Sequence, residues 1–359
     1  MRIGIDAREL CGQPTGVGRY LQSLLNEWRT SEAATRHRFV LYSPEALSLE
    51  QCANWETRVV VSGGRGVWWE QVRLPAAARQ DRLDVFFAPA YTAPLMLDTP
   101  MVVNIHDVSF AAHPEWFRLR EGLRRRWLTR AAVRRACAIL TVSNFSRREI
   151  VDRLGARESR VHVVPHGTNA KRTGGQEESA PMVLFVGSIF NRRHVPDLVR
   201  AFGRLAQRRN NVSLEIVGDN RSYPHEDVTG TIAGEHLDGR ARWRAYVPDA
   251  ELQRLYARAG AFAFLSEYEG FGLTPIEALS AGVPPVLLDT AVARETCGGA
   301  ALYVSSNDID AIAAALDRAL FDPDARAEVL AAAPSVLARY SWPRAAQDTL
   351  AILESCAAR

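Results

Sequence analysis

Long apolar runs are missing from this chain. Its apolar stretches are short, such as residues 259–265, and none approaches the ~18 residues that a membrane-spanning helix needs. Cysteine is sparse. Cys11, Cys52, Cys137, Cys297 and Cys356 are odd in number and scattered, with no metal-ligand spacing. They are predicted to be reduced packing thiols of a reducing compartment. A large net charge is missing as well: at +3 the whole-molecule field carries no nucleic-acid footprint. Several motifs are also absent. There is no His-Glu-x-x-His run, no Gly-x-Ser-x-Gly elbow and no Walker loop, so zinc-protease, serine-hydrolase and P-loop chemistry find no support. The opening residues 1–6, MRIGID, are predicted to form a strand and not a signal peptide, so a cytoplasmic chain is expected.

What is present is a repeated alternation. At 359 residues the chain exceeds one ordinary core, and two domains are expected. Runs rich in Val, Ile and Phe predict strands near 3–5, 39–41, 59–61, 85–87, 102–105, 139–142 and 161–164. Helical patterns follow at 18–28, 116–137 and 146–154. The polar, glycine-containing segment 169–181 is predicted to be a linker. The pattern restarts with strands at 183–186, 213–217, 261–265 and 285–288, and helices at 196–208, 249–259 and 274–281. Strands alternating with helices predict doubly wound parallel sheets. The expected domains are 1–168 and 182–340, with a terminal helix within 341–359. Ligands of such sheets bind beyond the carboxyl ends of the strands, so two facing sheets would leave a cleft lined by those loops.

The strongest constellation is the run 265–282, LSEYEGFGLTPIEALSAG. Glu269 ends a predicted strand, and Glu277 lies at a predicted helix start. Gly270, Phe271, Gly272, Leu273 and Thr274 lie between them. Backbone N–H groups at a helix start attract anions, and carboxylates accept hydrogen bonds from hydroxyls. That combination suits a ligand with hydroxyls at both ends and phosphates in the middle, a sugar nucleotide. For Glu277 a second explanation stays open. Thr274-Pro-Ile-Glu277 has the form of a capping box with Pro275 at the first helical position.

Three further loops follow strands. Gly187 opens a loop that carries Arg192 and Arg193, whose guanidinium forks match a diphosphate; a pair of exposed arginines is the plain alternative. Gly16 and Gly18 sit between the first strand and first helix. They lack the third glycine of a dinucleotide fingerprint, leaving an anion site or a tight turn. His106 and Asp107 end a buried strand and point to opposite faces, so they form no simple dyad. His106 is a candidate polar contact or general base, or a buried core histidine. The pairs Asp308/Asp310 and Asp322/Asp324 are predicted to be helix caps, and no metal is expected. Arg118 to Arg135 reads as an amphipathic helix in which Leu119, Leu123, Trp127 and Ala131 recur every fourth residue. Its basic side is either a solvated face or a surface for anionic lipid.

These motifs together resemble retaining glycosyltransferases of family 4, whose fold is GT-B, two facing Rossmann-like domains. The resemblance covers nearly the whole chain. It includes Ile5-Asp-Ala-Arg8, Thr15-Gly-Val-Gly-Arg-Tyr20, Ile105-His-Asp107, His113-Pro-Glu-Trp116, Thr141-Val-Ser-Asn-Phe-Ser146, Val164-Pro-His-Gly167 and Phe185-Val-Gly187. The most specific segment is Glu269 to Glu277 with Ala281-Gly-Val-Pro284. The resemblance implies a nucleotide diphosphate sugar on the second domain and an acceptor, glycan or lipid-linked, on the first. It places Glu269 at the donor sugar, Glu277 at the ribose and His106 near the transferred sugar. Gly270–Thr274 would supply amides, and Gly16–Gly18 would border the diphosphate or acceptor. It further implies a metal-independent reaction without cofactor, a mannose donor such as GDP-mannose, and a terminal helix crossing back onto the first domain. Arg193 departs from the pattern, which has lysine there, and His166 stands where asparagine is common. An epimerase or a non-catalytic sugar-nucleotide-binding module on the same fold are the rival readings.

Overall fold

Strands buried on both faces have no polar alternation to maintain, and the Val, Ile and Phe runs form such strands. A computed structural model describes residues 1–12, 16–50, 52–61, 63–64, 66–168, 181–305 and 308–358. Thr15 and most of the predicted linker, residues 169–180, lie outside the described residues. The chain divides into two units, residues 1–167 with 341–359, and residues 168–340.

The first unit holds seven strands: β1 Arg2–Asp6, β2 Arg38–Ser43, β3 Trp55–Val59, β4 Val85–Ala88, β5 Met101–Asn104, β6 Ala138–Thr141 and β7 Val161–Val163. All pair in parallel, in the order β3-β2-β1-β4-β5-β6-β7. In β4, Val85 and Phe87 feed one core cluster and Phe86 and Ala88 the other, so the sheet separates two cores. One core packs Leu21, Leu24 and Trp28 of helix Gly16–Thr30 against Trp342, Leu350 and Leu353 of the terminal helix Trp342–Ala357. Trp28 Nε1 donates to the Ala346 carbonyl at 2.9 Å, which satisfies the one polar atom of a buried indole. The other core packs Trp69 and Leu74 with Ala132, Val133 and Ile150.

The second unit holds β8 Met182–Val186, β9 Ser213–Val217, β10 Ala241–Arg244, β11 Ala261–Phe264, β12 Pro285–Leu288 and β13 Leu302–Val304. Its order is β10-β9-β8-β11-β12-β13, again parallel. The order reverses between β1 and β4 in one unit and between β8 and β11 in the other. Such switch points are where open α/β sheets hold ligands.

Several expectations need correcting. The third strand lies at Trp55–Val59, earlier than the valine run 59–61 suggested. Strands β10 and β13 had no apolar run to announce them: β10 reads Ala-Arg-Trp-Arg, β13 is three residues long, and both are sheet edges. The thiols are not all reduced. Cys137 and Cys356 form a disulfide with Cα atoms 6.1 Å apart, across 219 residues of sequence, and it ties the terminal helix to the start of β6. Helix Leu119–Arg135 packs through Leu128, Ala132 and Val133, while Leu119, Leu123 and Trp127 are exposed. The fourfold spacing that suggested a packing stripe therefore marks the outer face. Asp308, Asp322 and Ser341 do cap the helices that follow them.

Candidate functional site

The loops after β8 and β11 flank the switch point of the second unit, and the predicted site residues lie on them. Gly187 follows β8 with φ 146°, a conformation that L side chains rarely adopt. A Cβ there would lie 2.7 Å from Arg193 Nη1, so the missing side chain leaves the channel through which Arg193 passes. The turn Asn191–Arg193 then delivers both arginines.

The sequence predicts both guanidiniums on one diphosphate, but the structure divides them. Arg193 donates from Nε (2.8 Å) and Nη2 (2.7 Å) to Glu269 Oε1, and from Nη1 to the Ser188 carbonyl at 2.8 Å. Its guanidinium lies 4.8 Å from the Phe264 ring centre and 5.4 Å from that of Phe190. Arg192 donates to the Tyr268 carbonyl at 3.2 Å and lies over Phe190 at 4.3 Å. The Glu267 amide bonds the Arg192 carbonyl at 3.0 Å, which joins the two loops.

Glu269 also accepts from Ser266 Oγ at 2.8 Å, again on Oε1. Three donors thus converge on one oxygen of a side chain that is 16% exposed. Phe271 is buried and meets Tyr340 edge-on at 5.1 Å, anchoring the loop beyond Gly270. Gly272, at φ 88°, precedes helix Leu273–Ser280. The capping box is not formed: no side chain caps this helix, and Thr274 and Pro275 lie inside its first turn. Glu277 instead lies one turn into the helix, where Tyr256 Oη donates to its Oε2 at 3.1 Å. The recess lined by Ser266, Glu269, Phe271 and Thr290 holds about 20 Å³, room for one water and not for a sugar ring.

In the first unit Gly16 and Gly18 begin helix Gly16–Thr30, whose Tyr20 meets His106 at 5.0 Å and His166 at 4.9 Å. His106 Nε2 lies 2.9 Å from the Pro89 carbonyl, and Asn104 Nδ2 lies within 3.2 Å of both ring nitrogens. With Nε2–H donating to Pro89, Nδ1 is the acceptor. Burial lowers the His106 pKa to about 4, against the opposing pull of Pro89 and Asp107, so the ring is neutral near pH 7. That fits a polar contact better than a general base. Asp107 accepts from the Ser109 amide at 2.8 Å and Tyr91 Oη at 2.7 Å, so the two form no dyad.

Sequence reasoning missed several groups. Ser266 lies in the quoted motif but drew no role. Tyr256 occupies an ordinary apolar helix position 21 residues before Glu277. At the end of β1, Arg8 bridges buried Asp6 and Glu70, and Glu70 also accepts from Thr92. Burial raises the Asp6 pKa to about 6, Arg8 opposing and Glu70 assisting. Burial, with His106 beside it, holds His166 well below the usual histidine range. A cavity of about 590 Å³ beside β7 and the terminal helix, lined by Arg147, His162 and Asp348 among others, touches none of the predicted site residues. Among the described residues no three His, Cys, Asp or Glu side chains gather to hold a metal ion.

The chain matches known proteins along most of its length. The family model described as glycosyl transferases group 1 matches residues 168–335, and that of Glycosyltransferase Family 4 matches residues 14–172. The O-antigen chain mannosyltransferase B of Escherichia coli is 28% identical over 294 residues, 77% of this chain and 76% of that protein. The MMP alpha-(1->4)-mannosyltransferase of Mycolicibacterium hassiacum is 27% identical over 278 residues, 72% of this chain and 66% of that protein. Among solved structures, Anabaena Alr3699/HepE in complex with UDP-glucose superposes with a TM-score of 0.79 at 19% identity, over 99% of this chain and 100% of that one; this is a likeness of fold.

Proposed function

The chain belongs to the glycosyltransferases of family 4 and group 1, with the GT-B fold, and from that membership we propose a retaining, metal-independent hexosyltransferase that takes its sugar from a nucleotide diphosphate donor. One observation carries the reading: Glu269 is held through one oxygen at the second unit's switch point, beside a helix start with no side-chain cap. The free amides at Leu273 and Thr274, with Arg192, supply the positive charge that a leaving diphosphate needs. Glu269 reads sugar hydroxyls, and Glu277 reads the ribose. In the step, the bond from the anomeric carbon to the diphosphate breaks. The acceptor oxygen bonds that carbon from the same face, and its proton passes to the departing phosphate oxygen. In the first unit, neutral His106 is a polar contact for the sugar as it is transferred, and Gly16 and Gly18 allow close approach of the acceptor.

GDP-mannose is the preferred donor, because two of the similar enzymes are named mannosyltransferases; the structural neighbour was solved with UDP-glucose. A panel of sugar nucleotides tested for thermal stabilisation and slow hydrolysis decides. Hydrolysis of one donor, lost in Glu269→Gln while the fold survives, is the expected result. Full activity in that variant overturns the assignment, and conversion of donor without acceptor favours an epimerase.

The acceptor is a glycan, lipid-linked at an anionic membrane surface on the cytoplasmic side. No described helix is long and apolar enough to cross a membrane. Leu119, Leu123 and Trp127 stand exposed at successive turns of helix Leu119–Arg135, among Arg120, Arg124 and Arg126. Apolar residues in a cationic frame fit the boundary of an anionic bilayer. Co-sedimentation with phosphatidylglycerol vesicles, lost in Leu123→Ser/Trp127→Ser, is expected; equal binding to phosphatidylcholine vesicles, or none to either, sinks the membrane reading.

A further inference from the structure

We propose that Arg193 is not a diphosphate ligand but a positioning residue, which with Ser266 aims Glu269 so that its Oε2 alone meets the donor sugar. The inference rests on the reading that Glu269 recognises that sugar.

The geometry is specific. A carboxylate offers about four acceptor positions, two on each oxygen. Arg193 Nε, Arg193 Nη2 and Ser266 Oγ all approach Oε1, at 2.7–2.8 Å. An arginine paired for its own stability commonly spans both oxygens, fork to fork. Here the fork closes on a single oxygen, and Oε2 keeps its capacity for a pair of hydroxyls. The clamp is itself held. Arg193 Nη1 reaches the Ser188 carbonyl at 2.8 Å, and the guanidinium plane lies between Phe190 and Phe264. Gly187 leaves the space, since a Cβ there would meet Nη1 at 2.7 Å.

The residue type follows from this work. A lysine ammonium donates from a single point and cannot reach Ser188 and Glu269 together while packed between two rings. An arginine with Nε, Nη1 and Nη2 all committed inside the loop has little left for a phosphate. Arg192, whose recorded side-chain bond is a single one to the Tyr268 carbonyl, is then the guanidinium for the diphosphate. The two adjacent arginines have separate tasks, one on the sugar end of the donor and one on its phosphates.

The test separates those ends. Calorimetric titration with GDP and with GDP-mannose, and in parallel with UDP and UDP-glucose, gives the affinity gained from the sugar as a ratio. Arg193→Lys and Ser266→Ala are expected to cut that ratio by about tenfold and threefold, with the affinity for the bare diphosphate unchanged within about twofold. Retained stabilisation by the diphosphate shows that each variant is folded. If Arg193→Lys weakens GDP or UDP as much as the sugar nucleotide, Arg193 sits on the diphosphate and the inference fails. An unchanged ratio in both variants, alongside a collapsed ratio in Glu269→Gln, also defeats it and leaves the proposed function standing. An unchanged ratio in Glu269→Gln removes the underlying reading, and the positioning role with it.

Discussion

The two units share a frame and use it differently. Each is a parallel sheet whose strand order reverses beside its first strand. At the strand ends of the first unit the ionisable groups are turned inward. Asp6, Arg8 and Glu70 are buried against one another, and His106 and His166 are packed among Tyr20 and Trp342. In the second unit Arg193 and Glu269 remain 13% and 16% exposed, with one carboxylate oxygen left to accept. A buried charge must be satisfied internally, so the first cluster stiffens loops. A half-exposed carboxylate with spare capacity can exchange water for a ligand hydroxyl. The same topology thus yields a positioning framework in one unit and a recognition surface in the other.

Four changes would break or sharpen that contrast. The largest effect is expected in the second unit, where Glu269→Gln should cost about 10²–10³-fold in kcat/KM, measured as donor hydrolysis, with an unchanged Tm. Next, Cys137→Ser in the first unit should cost about 2–4 kcal/mol of stability with little change in donor affinity, read from urea unfolding and titration. A large loss of donor affinity would show that the terminal helix acts on recognition. The third concerns pH. The His106 pKa is lowered on folding, so the unfolded chain binds more protons between pH 6.5 and about 4. Stability should therefore fall as pH drops through that window, and His106→Gln should flatten the fall by roughly 1–2 kcal/mol. Asp6, raised to about 6 by folding, has the opposite sign: its contribution is lost as pH rises from about 4 to 6, and Asp6→Asn should improve stability at pH 7 relative to pH 4. The smallest effect is expected from Tyr256→Phe, which removes one hydrogen bond to Glu277. A rise of about three- to fivefold in donor KM with kcat unchanged would place Tyr256 behind ribose recognition. A fall in kcat with KM unchanged would not.

Much of the site was legible because its residues are close in sequence. Glu269, Gly270, Phe271, Gly272 and Glu277 fall on one strand–loop–helix passage, and a glycine with positive φ leaves a local signature. Gly187, Arg192 and Arg193 were legible for the same reason. Their partners were less so. Nothing in the sequence marks Tyr256 for Glu277, or Glu70 in its π-helical turn for Arg8. The capping box failed although its letters were right, because Gly272 starts the helix one residue earlier and draws Thr274 inside it. The stripe of Leu119, Leu123 and Trp127 failed because periodicity shows that residues share a face, not which way the face turns.

By itself the sequence determined two doubly wound units, their strands and the loops that carry the chemistry, since these follow from short-range patterns of apolar and glycine residues. Tertiary structure decided the rest: which arginine meets Glu269, which face of the basic helix is bare, and that Cys137 and Cys356, 219 residues apart, lie within bonding distance. Those outcomes depend on where sheets and crossovers bring distant side chains together, and a local pattern carries no term for that distance.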